Sequence, residues 1–258
     1  RSRKPAFTPP WGIPGHPAFP NCATEFPGST PNSTTPTSTA TTTSAAARVV
    51  YLLSELDGSD GFVLSGIDAL DQSGVSVSSA GDVNGDGYAD LLIGAHGADP
   101  DGESGAGETY VVFGKSESFG ASVDLGSLGA SDGFVLTGID SGDWSGNSVS
   151  AAGDVNGDGY ADILIGVPYA DPGSDNEGET YVVFGKGESF GASVDLSALD
   201  GSDGFLLEGI DATDYSGYSV SSAGDVNGDG YADLLIGAYQ ADPRGVTGAG
   251  ETYVVFGK

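Results

Sequence analysis

Three short stretches of this chain set oxygen donors at alternate positions. Asp82, Asn84, Asp86 and Asp90 surround Gly87 in the first. Asp154, Asn156, Asp158 and Asp162 surround Gly159 in the second, and Asp225, Asn227, Asp229 and Asp233 surround Gly230 in the third. Oxygens two residues apart point inward when a loop curls around a hard cation, and the glycine permits the sharp turn at its middle. The residue after the glycine (Tyr88, Tyr160 or Tyr231) is expected to supply a main-chain carbonyl, and the last Asp to close the cage. The expected ion is Ca2+, one per loop and three per chain, because a cage built mostly of protein oxygen disfavours magnesium. Extracellular sites of this kind work at weak affinities, about 10⁻⁴–10⁻³ M, which points to a secreted or cell-surface setting.

A helix–loop–helix site would carry an acidic side chain at the twelfth loop position, where this chain has Ile93, Ile165 and Ile236. The flanking segments also read as strands. No catalytic site is expected. The two histidines are His16 and His96, and no nucleophile elbow, phosphate loop or zinc motif occurs. Glu108, Glu179 and Glu251 recur identically, which suits a place at a strand edge or behind the metal ligands better than catalysis.

Around these loops the chain repeats itself. The run GDVNGDGYAD recurs at Gly81, Gly153 and Gly224, ETYVVFGK at Glu108, Glu179 and Glu251, and SDGF at Ser59, Ser131 and Ser202. Such periodicity marks an array of supersecondary units. In the middle copy four strand-like runs follow one another: 148–152, 162–167, 179–184 and, one step on, 204–209. β-Branched and aromatic residues fill them, and Gly, Asp, Asn or Pro separate them. Four antiparallel strands per unit is the make-up of a propeller blade.

The order strand, acidic loop, apolar strand ending in Ile-Gly, then Tyr-Val-Val-Phe resembles the FG-GAP repeat of integrin α-subunit propellers. That resemblance implies calcium-stabilised blades acting in adhesion and ligand recognition. The family's Phe-Gly is replaced here by Ser73-Gly74, Ser145-Gly146 and Ser216-Gly217, which keep the glycine. The expected fold is therefore all-β. It has three consecutive four-stranded blades over residues 49–258, at about 49–120, 121–191 and 192–258.

A closed propeller takes about 4–8 blades, so three cannot close a ring within one chain. Blades beginning at Ser73 and Ser145 are complete, whereas the one beginning at Ser216 has three strands. Residues 60–68, with 49–53 before them, read as an orphan fourth strand. Donation of that strand to the third blade of another copy predicts head-to-tail assembly, as a filament or a two-chain ring. The other expectation is a ligand-binding adhesion module or a fragment of a larger propeller. Its glycan- or protein-binding candidates are His96, Trp144, Tyr169, Tyr215, Tyr218, Tyr239 and Gln240, where the repeats differ.

Residues 1–48 are expected to form an extended tail, with nine of the thirteen prolines followed by a Ser/Thr-rich run. It reads as a bare linker or a glycosylated stalk, with Asn32 in a sequon and Thr34, Thr35, Thr37, Thr39, Thr41, Thr42 and Thr43 as O-glycosylation candidates. Cys22, the single cysteine, cannot form an internal disulfide. The absence of methionine points to a processed chain or a fragment. Formal charge is −29, with 36 of the 37 acidic residues in 49–258, a surface that repels nucleic acid and anionic lipid. No apolar run is long enough to enter a membrane.

Overall fold

The computed structural model describes residues 52–173 and 175–258. The tail expectations, including Asn32, the threonines, His16 and Cys22, lie outside the described residues. The described part is all-β, with one sheet per repeat.

The first repeat contributes β2 (Ser76–Gly81), β3 (Asp90–Ala95), β4 (Glu108–Val112) and β6 (Gly133–Thr137). The second contributes β7 (Ser148–Gly153), β8 (Asp162–Val167), β9 (Glu179–Val183) and β11 (Gly204–Glu208). The third has β12 (Ser216–Gly224), β13 (Asp233–Ala238) and β14 (Glu251–Val255), with no fourth strand among the described residues. Within each repeat these strands pair antiparallel with their neighbours. Predicted and observed strands agree to within two residues in the middle copy. The three blades do not close a ring.

Two features depart from the sequence reading. Each connection from third to fourth strand adds a three-residue strand, β5 (Ser122–Asp124) or β10 (Ser193–Asp195). These pair in parallel with the fourth strand of the preceding unit, β5 on β1 (Val63–Ser65) and β10 on β6. The orphan segment 60–68 therefore narrows to Val63–Ser65 and already carries a partner on one edge. Of the run 49–53, Leu52 and Leu53 are described, and Leu53 opens a 3-10 turn, Leu53–Glu55, instead of extending as a strand.

The central strands are buried on both faces because blades stack on each other. Every residue of β8 is buried, whereas β14 alternates between half-buried and exposed. Two apolar layers fill the seams. One joins Val83, Leu92 and Val111 to Val149, Ile163 and Ile165, and the other joins Val155, Leu164 and Val182 to Val220 and Leu234.

The two seams use the same atoms one period apart. At the first, Ala161 N donates to Asp82 O (3.1 Å), Lys186 N to Val83 O (2.9 Å) and Val149 N to Ser76 Oγ (3.0 Å). At the second, Ala232 N donates to Asp154 O (2.9 Å), Lys258 N to Val155 O (2.9 Å) and Val220 N to Ser148 Oγ (3.1 Å). Both seams are tight enough to require glycine. A Cβ on Gly94 would overlap the carbonyl oxygen of Gly146, and one on Gly166 would overlap that of Gly217.

Candidate functional site

The acidic loops lie at one end of the strands, between the first and second of each blade. Two Gly residues with positive φ, Gly85 (74°) and Gly87 (90°), give the first loop its curl. Its side-chain oxygens turn inward onto main-chain amides. Asp86 N donates to both Asp82 Oδ1 (3.0 Å) and Asn84 Oδ1 (2.9 Å), Gly87 N to Asp82 Oδ2 (2.9 Å) and Tyr88 N to Asp86 Oδ1 (2.9 Å). The loops at Asp154 and Asp225 repeat this pattern, with Asp158 N bonded to Asp154 and Asn156, and Asp229 N to Asp225 and Asn227. Asp82 Oδ1 and Asn84 Oδ1 are thus drawn to one point.

The closing aspartates have a different situation. Asp90, Asp162 and Asp233 are fully buried. Asp90 accepts from Val83 N (2.9 Å) and Gly114 N (2.8 Å), tying the loop to the end of β4. Asp162 does the same for Val155 N (2.8 Å) and Gly185 N (2.9 Å), and Asp233 for Val226 N (2.7 Å) and Gly257 N (3.1 Å). Burial pushes Asp90 up to about 6 and Asp162 to about 7, against the lowering effect of those amide bonds. The structure thus gives the last Asp a fold-holding job that its place in the motif did not suggest.

Among the described residues no three His, Cys, Asp or Glu side chains are disposed to hold a metal on such groups alone. The donor set does fit a hard divalent cation in its chemistry. It offers carboxylate and amide oxygens converging on Asp86 N and its equivalents, with the one ion pair among the described residues, Lys115–Asp132 (2.8 Å), formed elsewhere. The tyrosines expected to give carbonyls have a second role. The Tyr160 ring covers Gly85 of the preceding loop, and the Tyr231 ring covers Gly157, so neighbouring loops interlock.

The opposite end of the strands carries an aromatic row. His96 stacks on Trp144 (4.7 Å between centroids), Trp144 meets Tyr169 edge-on (4.5 Å), Tyr169 meets Tyr215 (5.3 Å), Tyr215 meets Tyr239 (5.7 Å) and Tyr239 meets Tyr218 (4.5 Å). Six of the seven variable positions singled out in the sequence are therefore one contiguous row of rings crossing both seams, of which His96 is buried. Gln240 joins it through Nε2 to the Tyr239 hydroxyl (3.5 Å). Trp144 and Tyr215 sit at positive φ (61° and 55°), as does their counterpart Gln72 (56°). A left-handed backbone on bulky residues is strained and holds these rings at fixed angles.

Beneath the row lie carboxyl groups. Glu179 accepts from the Tyr181 hydroxyl (2.5 Å), Glu251 from that of Tyr253 (2.8 Å), and Glu108 pairs with Tyr110. These glutamates open the third strand of each blade, at the end away from the acidic loops. Asp143 is pushed up to about 7, chiefly by burial and then by the charges of Asp140, Glu179 and Asp171. A raised folded-state value means that the folded state holds the proton more tightly. The resulting stabilisation is complete below the ordinary carboxylate range and is lost as pH rises through about 7. Asp143→Asn should therefore stabilise the protein at pH 8 by ~1 kcal/mol, a few degrees in Tm, with little effect near pH 4. Thermal melts at the two pH values check this.

The FG-GAP repeat family matches residues 73–112, 145–183 and 216–255. Integrin alpha-PS2 of Drosophila melanogaster is 32% identical over 187 residues, covering 70% of this chain and 12% of that protein. Integrin alpha-V of Gallus gallus is 30% identical over 212 residues (76% and 18%), and human integrin alpha-IIb 32% over 161 residues (62% and 14%). The chain thus spans less than a fifth of the length of these relatives. Each matched stretch runs from the Ser-Gly ahead of an acidic loop to the end of a third strand, so the family's unit covers the first three strands of every blade, and the chain belongs to the FG-GAP repeat family.

Proposed function

We propose that this chain is an extracellular, calcium-binding adhesion module. Its cations hold the blades at one end of the strands, and it binds a protein or glycan at the other. The observation that carries the reading is this division of labour: three equivalent acidic loops at one end and a half-exposed aromatic row at the other. Asp82, Asn84 and Asp86 hold one ion with the Tyr88 carbonyl and with Asp90 behind them, and the second and third loops hold theirs through the equivalent residues. The ion offsets carboxylate repulsion and fixes the loop. Trp144, Tyr215 and Tyr239 offer flat apolar faces with polar edges, suited to sugar rings or to aromatic and proline-bearing peptides. Similarity to integrin alpha chains supports adhesion over catalysis. Among the described residues no helix is long and apolar enough to cross a membrane. Copies of the chain are also proposed to join head to tail by donating the segment 60–68, because β14 is paired on one edge only among the described residues.

Adhesion is tested by presenting the protein in calcium buffer to arrays of glycans and extracellular-matrix proteins. Binding should drop at least tenfold in Trp144→Ala and Tyr239→Ala variants whose melting is unchanged. Equal binding by both variants, or no binder on either array, would remove the aromatic row as a ligand face.

A further inference from the structure

The first and third blades each expose the half of a seam that the molecule builds twice within itself. Val77 is 67% exposed, while its equivalents Val149 and Val220, which sit in the seams, are 5% and 7% exposed. Val226 is 57% exposed, while Val83 and Val155 are 0% and 3% exposed. Val254 and Phe256 are likewise open on β14 and its end, where Val111, Val182 and Phe113 are buried. Gly237 tells the same story in backbone terms. Gly94 and Gly166 are pressed against the next blade's Ser-Gly carbonyl, but a Cβ on Gly237 would meet only Ser219, at 3.4 Å.

From this equivalence we infer that the Val77 face of one copy docks on the Val226–Phe256 face of another, as a third instance of the internal seam. The inference rests on the head-to-tail reading above and specifies its surfaces. By the internal rule, Ala89 N, Lys115 N and Val77 N of the copy presenting the Val77 face meet Asp225 O, Val226 O and Ser219 Oγ, respectively, of the other copy. Gly74 lies against Gly237. The same placement delivers β1 to β14. In both complete blades the third and fourth strands pair in one register, Val112 with Gly133 and Glu108 with Thr137, then Val183 with Gly204 and Glu179 with Glu208. Transferred by one period, Gly61 pairs with Val255 and Ser65 with Glu251. β1 can accept this ladder because β5 occupies its other edge, as β10 occupies that of β6. Blade docking and strand addition are thus one geometry, in which a strand passes to the sheet just ahead of its own first blade, as β6 and β11 do within the chain. The contact joins unlike faces, so copies add in one direction. The high negative charge opposes it, and salt or bound calcium should strengthen it.

Sedimentation of the full 258-residue chain between 5 and 200 µM, at low and physiological salt and with calcium, tests the inference. The wild-type chain should form dimers or larger species. Val77→Asp and Val226→Asp, each altering a side chain that is exposed in the single chain, should both be monomeric with wild-type melting. Mixed together they should form a one-to-one dimer, because each retains the face that the other has lost. Gly237→Ala should weaken association at least tenfold without lowering the melting temperature. A wild-type monomer at 200 µM in every buffer, or a mixture of the two Asp variants that stays monomeric, overturns the proposal. A wild-type chain that associates while both Asp variants associate equally well overturns these surfaces but not head-to-tail joining, whereas a wild-type monomer overturns both, so the two failures are distinguishable.

Discussion

Gly166→Ala is expected to be among the most damaging single-methyl changes in this protein. The added carbon has nowhere to go, because the atom opposite is the Gly217 carbonyl oxygen on the backbone of the next blade. A flexible side chain could rotate aside, but a main-chain carbonyl moves only with its strand. Relief requires the second and third blades to separate. That separation strains the bonds from Ala232 N to Asp154 O and from Lys258 N to Val155 O, and it opens the layer of Val155, Leu164 and Val220. Overpacking of a tight core costs about 1–3 kcal/mol, and loss of seam contacts adds to it, so a destabilisation of ~3–5 kcal/mol is expected. Gly94→Ala should behave similarly against Gly146. Gly237→Ala occupies the same place in β13, yet it should cost less than about 1 kcal/mol in the single chain. Urea unfolding of the three variants checks this. Equal loss at all three sites would show that the cost belongs to the strand and not to the seam.

Removal of divalent cations should produce the other large effect. An ion that binds the folded loop and not the unfolded chain stabilises by the logarithm of its saturation, so a site of about 10⁻⁴ M affinity in 5 mM calcium contributes ~2 kcal/mol. Three such loops would contribute ~7 kcal/mol together if they act independently. Excess chelator should therefore lower the melting temperature by well over ten degrees, and calcium should restore it more fully than magnesium at equal concentration. Asp158→Ala, which removes a donor from the central loop alone, should abolish about one third of the calcium stoichiometry seen by calorimetry while leaving the other two loops loaded. An unchanged melt in chelator, with no calcium recovered from the purified protein, would refute the assignment.

Much of this architecture was legible in the residues. The alternation of oxygens with Gly87, Gly159 and Gly230 located the loops. The phase of the SDGF runs showed that β6 and β11 complete the blades begun by Ser73 and Ser145. Other features depend on neighbours that a linear pattern does not reveal. β5 and β10 are three residues long, too short for periodicity, and they form because a fourth strand offers them a free edge. Asp90, Asp162 and Asp233 read as the acids that close each cage, and nothing in their spacing shows that their carboxylates also accept from amides 7 and about 24 residues away. Gly94 and Gly166 looked like ends of apolar runs, and only the approach of the next blade gives them a steric reason. The aromatic residues stood out because they break the repetition. Their contact with one another arises because the turn before each blade's first strand lies beside the turn after its second.

The repetition of one set of seam atoms also bears on how such a molecule can change its size. The period between the second and third Gly-Asp-Val runs is 71 residues. Duplicating one such unit in frame would create one new junction and disturb none, and deleting one would do the reverse. Stability in an array of this kind grows as a sum over units and their junctions. Gene-level gain or loss of whole periods is therefore tolerated, whereas a frame offset of even a few residues would place a side chain where Gly94 or Gly166 must stand.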